Sequence, residues 1–380
     1  MKNVIKMIDT AILEIPISRS AILNAKRFSP IIEDWLLDQF GYRSFKNNPT
    51  AEDKQKWGYC PRLTLYKRGA ILVLKLEFSV TKMFNRADDN VNEIGDDDFG
   101  GVVSRLRDVV EGMGVFLTIE QIEQADPQVY HPAKNIILSD CYNPTFVIGE
   151  LKKVDISRKF DIDCKQYRNG GEVLQLYSNL HSLCLYDKQR DDKKSVKRAV
   201  EKDRPAFIQR SLFEEQLLRK VEILRMEARL RKKKMLEIFE KVGYMNPKPT
   251  FKDIFSRDLS RKILQYYWRY FFEDDAFLFD ARNNPTKILN MVCAKYEGKK
   301  IGLDKTLAIA CLVICGKDED GMTGVRNIIE FHRPKNNWSK TKKWLDDFKA
   351  DYDKANLYGF VKDIETQLDE FKPFRIEKTD

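Results

Sequence analysis

The segment Leu224-Arg225-Met226-Glu227-Ala228-Arg229-Leu230 alternates apolar and charged side chains without a break. A helix, at 3.6 residues per turn, would scatter those charges around its axis, whereas a strand sends every second side chain to the same side. The segment therefore reads as a strand with a polar face of Arg225, Glu227 and Arg229, although the stretch from Leu212 that leads into it is patterned as a helix. Two shorter segments share the pattern. Apolar and polar residues alternate in Lys153-Val154-Asp155-Ile156-Ser157. In Leu183-Cys184-Leu185-Tyr186-Asp187-Lys188 the two leucines point one way and Cys184, Tyr186 and Lys188 the other. Placed in one sheet, the three would gather Asp155, Tyr186, Lys188, Glu227 and the two arginines on one face. An ordinary half-exposed antiparallel sheet carries charges outward in the same way without doing chemistry.

The remaining pattern is consistent with such a sheet. Met7 to Pro16 reads as a first strand ended by the proline. Residues 63–66 and 71–78 read as a hairpin with Lys67-Arg68-Gly69 at its turn, and residues 17–60 are poorly patterned. Residues 99–113 form an amphipathic helix with Val102, Val103, Leu106 and Val110 on one side. Residues 150–190 resemble a β-meander turned at Asn169-Gly170-Gly171, and Lys188 to Arg204 is polar enough for an exposed insertion. The acidic stretch Asn85 to Asp98 is a solvated loop, because Glu93 stands where a calcium-binding EF-hand loop requires glycine. From about residue 245 the pattern becomes helical and aromatic-rich, as in Ile263 to Phe272. The expected class is α+β: an antiparallel-sheet domain over 1–245, then a mainly helical domain over 246–380 with a DNA-binding or accessory role.

Composition narrows the partners. The chain has 380 residues and a net charge of +9, which favours polyanions, nucleic acid being the commonest. Its seven cysteines include no C-x-x-C, which argues against structural zinc and a disulfide framework and for reduced thiols in a cytoplasm. Asp9, Glu14 and Arg19 interrupt any signal-peptide pattern, and no uncharged run of about 18 residues offers a membrane-spanning helix. The phosphate-binding motif G-x-x-x-x-G-K-[ST] is missing, so no intrinsic helicase or ATPase is expected.

The polar face suits phosphoryl transfer. Two carboxylates can hold a hard divalent cation, which neutralises phosphate oxygens while a tyrosine hydroxyl attacks in line. A phenol with an ordinary pKa of about 10 needs a cation or base to activate it. Lys188 would stabilise charge developing on the phenolate and the phosphate.

The same segments, in order, resemble a known family. Met7-Ile8-Asp9, then Leu76-Glu77-Phe78-Ser79 with Lys82 and Asn85, then His131 with Lys134-Asn135-Ile136, are similar to its opening elements. Val154-Asp155, Leu185-Tyr186-Asp187-Lys188 and Leu224 to Leu230 follow. The family is that of the filamentous-phage gene-two/gene-ten replication proteins, which are phage and plasmid rolling-circle replication initiators. The resemblance covers roughly residues 7–240.

It implies a replication-initiator nickase fold and a covalent tyrosine–5′-phosphate intermediate. Tyr186 would be the nucleophile, and Mg²⁺ or Mn²⁺ would be held by Asp155 and Glu227. Many rolling-circle nucleases bind metal through two histidines separated by one hydrophobic residue, but here the histidines are His131, His181 and His332 and no such pair exists. Carboxylates must then do most of the metal binding. His131 is either a further ligand or a residue that satisfies a loop, and Glu77 is either a ligand or an outward structural glutamate. Asp9 is read as structural.

Arg225 and Arg229 either contact DNA or form structural salt bridges. The run Arg229-Leu230-Arg231-Lys232-Lys233-Lys234 either tracks the DNA backbone or is a solvated face. Trp338 and the cluster Arg333-Pro334-Lys335 are candidates for further DNA contacts in the helical domain, with core packing favoured for Trp338. The implied partners are origin DNA, single-stranded or supercoiled, with a host helicase and polymerase in a bacterial cytoplasm. The rival readings are a non-catalytic origin-binding protein and an unrelated structural or RNA-binding protein.

Overall fold

The computed structural model describes residues 8–33, 44–85, 93–94, 96–139, 141–154, 165–168, 173–190, 221–273, 284–318, 320–333, 338–350 and 358–372. Its frame is a nine-stranded sheet. In chain order the strands are β1 (Ile8–Ile17), β2 (Ser44–Asn47), β3 (Arg62–Arg68), β4 (Ile71–Ser79), β5 (Asp126–Ile137), β6 (Lys165–Arg168), β7 (Val173–Tyr177), β8 (His181–Asp187) and β9 (Ile223–Arg231). Across the sheet the order is β2-β3-β4-β1-β5-β9-β8-β7-β6, with every pair antiparallel. The first strand and the last thus lie one strand apart, on either side of β5.

The expected hairpin is β3–β4, turned at Gly69, whose φ of +61° costs glycine nothing. β1 runs one residue past Pro16, to Ile17. The missing N–H is tolerated because pairing with β5 has already ended at Glu14.

The helices in chain order are α1 (Ala51–Trp57), α2 (Val80–Asn85), α3 (Phe99–Gly112), α4 (Ile119–Glu123), α5 (Pro144–Lys152), α6 (Lys232–Lys241), α7 (Phe251–Ile254) and α8 (Arg257–Trp268). A π-turn, Arg269–Glu273, extends α8, and α9 (Pro285–Tyr296), α10 (Leu303–Gly316), α11 (Gly321–His332), α12 (Trp338–Ala350) and α13 (Gly359–Glu370) follow. Local chemistry starts many of them. Reciprocal capping boxes, Thr50 with Asp53, Thr118 with Gln121 and Thr250 with Asp253, open α1, α4 and α7. Asn143 caps α5 and Asn284 caps α9, each just before a proline that needs no N–H partner.

One core joins most of these elements. The apolar face of β9 (Leu224, Met226, Ala228, Leu230) continues through Leu183 and Leu185 of β8 and Tyr130 and Ile136 of β5. It packs against Ile238 and Phe239 of α6, Ile263, Leu264 and Tyr267 of α8, and Phe360, Ile364 and Leu368 of α13. Each of the leucine, isoleucine, methionine and phenylalanine side chains contributes about 1.5–3 kcal/mol on burial. Tyr130 keeps its hydroxyl satisfied by a 2.7 Å hydrogen bond with Ser260 of α8. A second cluster, Ile288, Val292, Ile309, Val313, Met322, Trp338, Leu345 and Phe348, joins α9 to α12, with Trp338 in it as the sequence indicated.

All described regular elements after residue 245 are helical. The expected boundary at 245 is nevertheless not a break in packing, because α7, α8 and α13 share the core of the sheet. Two other expectations change. Lys153 and Val154 form a turn after α5 rather than a strand, and Asp155 to Ser157 lie outside the described residues. In the acidic stretch after Asn85, Asp96–Asp98 is a 3-10 turn, and Glu93 is buried rather than solvated. Glu93 accepts the Asn135 backbone N–H at 2.5 Å and pairs with Lys134 at 3.0 Å. Asn135 lies beyond Pro132, the last β5 residue that β1 pairs, so the Glu93 carboxylate satisfies a donor the sheet leaves over.

Candidate functional site

The polar face of β9 is the centre of the candidate site. β8 and β9 pair with Cys184 opposite Glu227 and Tyr186 opposite Arg225. Tyr186 and Glu227 are thus diagonal neighbours on one face, a spacing that a long aromatic side chain can cover. The Tyr186 hydroxyl donates to Glu227 Oε2 at 3.2 Å. On the other side of β9, β5 brings His131 Nδ1 to 3.3 Å from Glu227 Oε1. Arg229 donates its Nε to that same Oε1 at 2.8 Å.

β1 supplies the last member. Its pairing with β5 shifts between Ile8, opposite Pro132, and Thr10, opposite His131, so Asp9 is the extra residue of a β-bulge. A bulge re-aims a side chain. Asp9, which alternation would place on the apolar side with Ala11, instead meets the site. Its Oδ1 accepts from Arg225 Nη2 at 2.7 Å and its Oδ2 from Thr10 Oγ1 at 3.0 Å. Arg225 also donates to Asn135 Oδ1 at 3.0 Å. One ligand atom from each of Asp9, His131 and Glu227 lies within 4.8 Å of the others.

Depth differs across the cluster. Glu227, Arg225 and Tyr186 are buried, whereas the Arg229 side chain is 42% exposed and Asp9 and His131 are partly open. A substrate would approach from the Asp9, His131 and Arg229 side. Burial alone would push the Glu227 carboxyl up. The hydrogen bond with His131 and the charges of Arg229, His131 and Arg225 outweigh it and hold the group well below the usual carboxylate range. Burial likewise opposes the charge on both guanidiniums. The Tyr186, Asp9 and Glu227 oxygens around Arg225, and chiefly Glu227 beside Arg229, reverse that and push both up. Glu227, Arg225 and Arg229 are therefore all charged at neutral pH. A carboxylate held so acidic is a poor base, so Glu227 orients the Tyr186 hydroxyl and does not by itself remove its proton.

The structure thus brings Tyr186, Glu227, His131, Arg225 and Arg229 together and adds Asp9, which the sequence reading treated as structural. Asp155 lies outside the described residues. Glu77 is not in the cluster; it sits on β4 opposite Ile12, 3.8 Å from Arg62, with a side chain 43% exposed. Lys188 is buried in the turn after β8, which ends at Asp187, so the strand-face argument does not extend to it. The basic run divides. Arg229 belongs to the site, Arg231 and Lys233 are exposed, Lys232 pairs with Asp126, and Lys234 pairs with Glu237 at 2.7 Å.

Two carboxylates and an imidazole at this spacing fit a divalent cation that takes oxygen and accepts one nitrogen, a set that suits Mn²⁺ better than Mg²⁺. The six described cysteines are free, and no helix among the described residues is long and apolar enough to cross a membrane. Comparison of the chain with protein-family models, with curated proteins and with solved structures gave no match in any of the three.

Proposed function

We propose that this protein nicks and rejoins one DNA strand through Tyr186, as a rolling-circle replication initiator does. The observation that carries the reading is the meeting, around Glu227, of a tyrosine hydroxyl with an Asp–His–Glu set able to hold a cation. The phenol oxygen of Tyr186 attacks a backbone phosphorus. The Oη–P bond forms, the P–O3′ bond breaks, and the phenolic proton ends on the freed 3′ oxygen. The chain is left joined to the 5′ phosphate, and reversal by a 3′ hydroxyl reseals the strand without ATP.

Each side chain has a part in this. Glu227 orients the hydroxyl, Arg229 meets the phosphate from the open side, and buried Arg225 fixes Asp9 and so the bulge. Asp9, His131 and Glu227 would hold Mn²⁺ or Mg²⁺, which when bound lowers the cost of the phenolate and of charge on the phosphate. The net charge of +9, with Arg231 and Lys233 exposed at the end of β9, supports a polyanionic partner.

The test is a covalent adduct. Incubation with pooled single-stranded oligonucleotides and Mn²⁺ should shift the protein on a denaturing gel. Tyr186→Phe should abolish the shift while DNA binding persists, since only the attacking oxygen is lost. DNA binding with no adduct under any divalent metal would instead favour a non-catalytic origin-binding protein. A full-strength adduct in Tyr186→Phe would move the nucleophile elsewhere.

A further inference from the structure

Every carboxylate oxygen a cation would need is already engaged. Asp9 Oδ1 holds Arg225 and Oδ2 holds Thr10; Glu227 Oε1 holds Arg229 and Oε2 holds Tyr186. Two carboxylates also face two guanidiniums, so the formal charge is balanced before any cation arrives. A divalent ion entering alone would meet no net attraction and would compete with Arg229 for the same oxygen. Arg229 itself is half-engaged. Its Nε is fixed on Glu227, while its two terminal nitrogens make no hydrogen bond among the described residues. Deeper in, Arg225 Nε is buried with no hydrogen-bond partner among the described residues. Unmet guanidinium donors beside an ionised cluster are what an incoming anion would satisfy, and the planar fork of arginine matches two oxygens of a phosphate.

The geometry points to obligatory cooperation between cation and DNA: Arg229 holds the cation off the Asp9–His131–Glu227 set and releases that block when a backbone phosphate takes its free nitrogens. The phosphate adds the negative charge that the balanced cluster lacks, so Asp9, His131 and Glu227 would hold the cation more tightly in its presence. Coupling of this kind is reciprocal, so metal must strengthen DNA binding by the factor by which DNA strengthens metal binding. The inference rests on the nucleic-acid reading of the site but concerns the order in which the site fills.

The test is a binding measurement on the full chain, made in the uncleaving Tyr186→Phe protein so that the oligonucleotide survives. Free Mn²⁺, followed by its electron paramagnetic resonance signal, should show affinity rising about tenfold or more when a mixed-sequence single-stranded oligonucleotide pool is present. Adding Arg229→Gln should tighten Mn²⁺ binding in the absence of DNA and remove most of the gain that DNA brings. Arg229→Lys keeps the charge without the fork; it should leave the DNA-free affinity weak, and it serves if the glutamine variant does not fold. Unchanged or weaker DNA-free Mn²⁺ binding in Arg229→Gln would overturn the inference, even if wild-type protein forms the adduct and the proposed function stands. Tighter Mn²⁺ binding in that variant, with no effect of the oligonucleotide on the parent, would overturn the coupling. If no adduct forms either, the nucleic-acid reading falls with it.

Discussion

Replacing Glu227 with glutamine removes one charge from the centre of the face and leaves the volume intact. No cavity opens, so the cost is electrostatic. The carboxylate is buried, accepts from Tyr186 at 3.2 Å and Arg229 at 2.8 Å, and lies 3.3 Å from His131. Taking one partner from a buried ion pair costs about 3–5 kcal/mol. Two features put this variant at the lower end. The amide oxygen still accepts from one of the two donors, and Arg229 is exposed enough to regain water. We expect a loss of about 3 kcal/mol at pH 7, read from urea denaturation midpoints at constant slope.

The pH dependence of that loss carries more information than its size. With a folded-state pKa held below the ordinary 4.5, Glu227 contributes its full stabilisation above that value and loses it as pH falls toward the folded value. At pH 4 the folded protein keeps the carboxylate ionised, while the unfolded chain is protonated in about three-quarters of molecules. This lowers the contribution by about 0.8 kcal/mol. The gap between wild type and Glu227→Gln should therefore narrow by about 0.8 kcal/mol between pH 7 and pH 4, since glutamine does not titrate. A gap under about 1 kcal/mol at pH 7, the worth of an exposed pair, would refute the charge-centred account. So would a gap that widens in acid.

Three further outcomes follow from other parts of the fold. Burial, helped by the charge of Lys234, lowers the His181 pKa from 6.5 to about 4, so stability is complete above pH 6.5 and falls toward pH 4. His181→Gln should flatten that limb in melts at pH 7 and pH 5, and an unchanged limb would place the titration elsewhere. Replacing residues 284–350 with a flexible Gly/Ser linker should leave the sheet folded, because the core of α9 to α12 is its own cluster. A stop after residue 245 should yield insoluble protein, since it removes Phe251, Tyr267, Phe360 and Leu368 from the main core. A soluble, cooperatively melting 1–245 fragment would overturn that division.

What the sequence disclosed depended on whether side-chain alternation survived. β8, β9 and the β3–β4 hairpin kept it, so the strands, their faces and the proximity of Tyr186 to Glu227 could be read directly. β5 did not. Pro127 and Pro132 break the run of donors and argue against a strand, yet each pairs with β1, and the strand carries His131 and Asn135 into the site. Asp9 was hidden by the opposite device. A single inserted residue flips a side chain across the sheet, and β1 itself gives no warning of it because neither glycine nor proline flanks Asp9 in that strand. The boundary near 245 misled for a third reason. α7, α8 and α13 have the same amphipathic pattern whether they pack on a sheet or on one another, and only the contacts decide.

The site also shows why its charges can be held so close. A slip of one residue in β9 would exchange its faces, putting Arg225, Glu227 and Arg229 into the core and four apolar side chains into the site. Leu224, Met226, Ala228 and Leu230 pack against the helices and forbid that slip, so the apolar face fixes the positions of the polar one. The participants come from residues 9, 131, 186, 225, 227 and 229, on four adjacent strands that follow one another across the sheet as β1, β5, β9 and β8. None of the pairings that join them is local along the chain except within β9. The charge-balanced cluster therefore exists only once β1 has closed onto β5 and β5 has paired with β9, some 90 residues further along the chain. Assembly of the site is in this way confined to the completed fold.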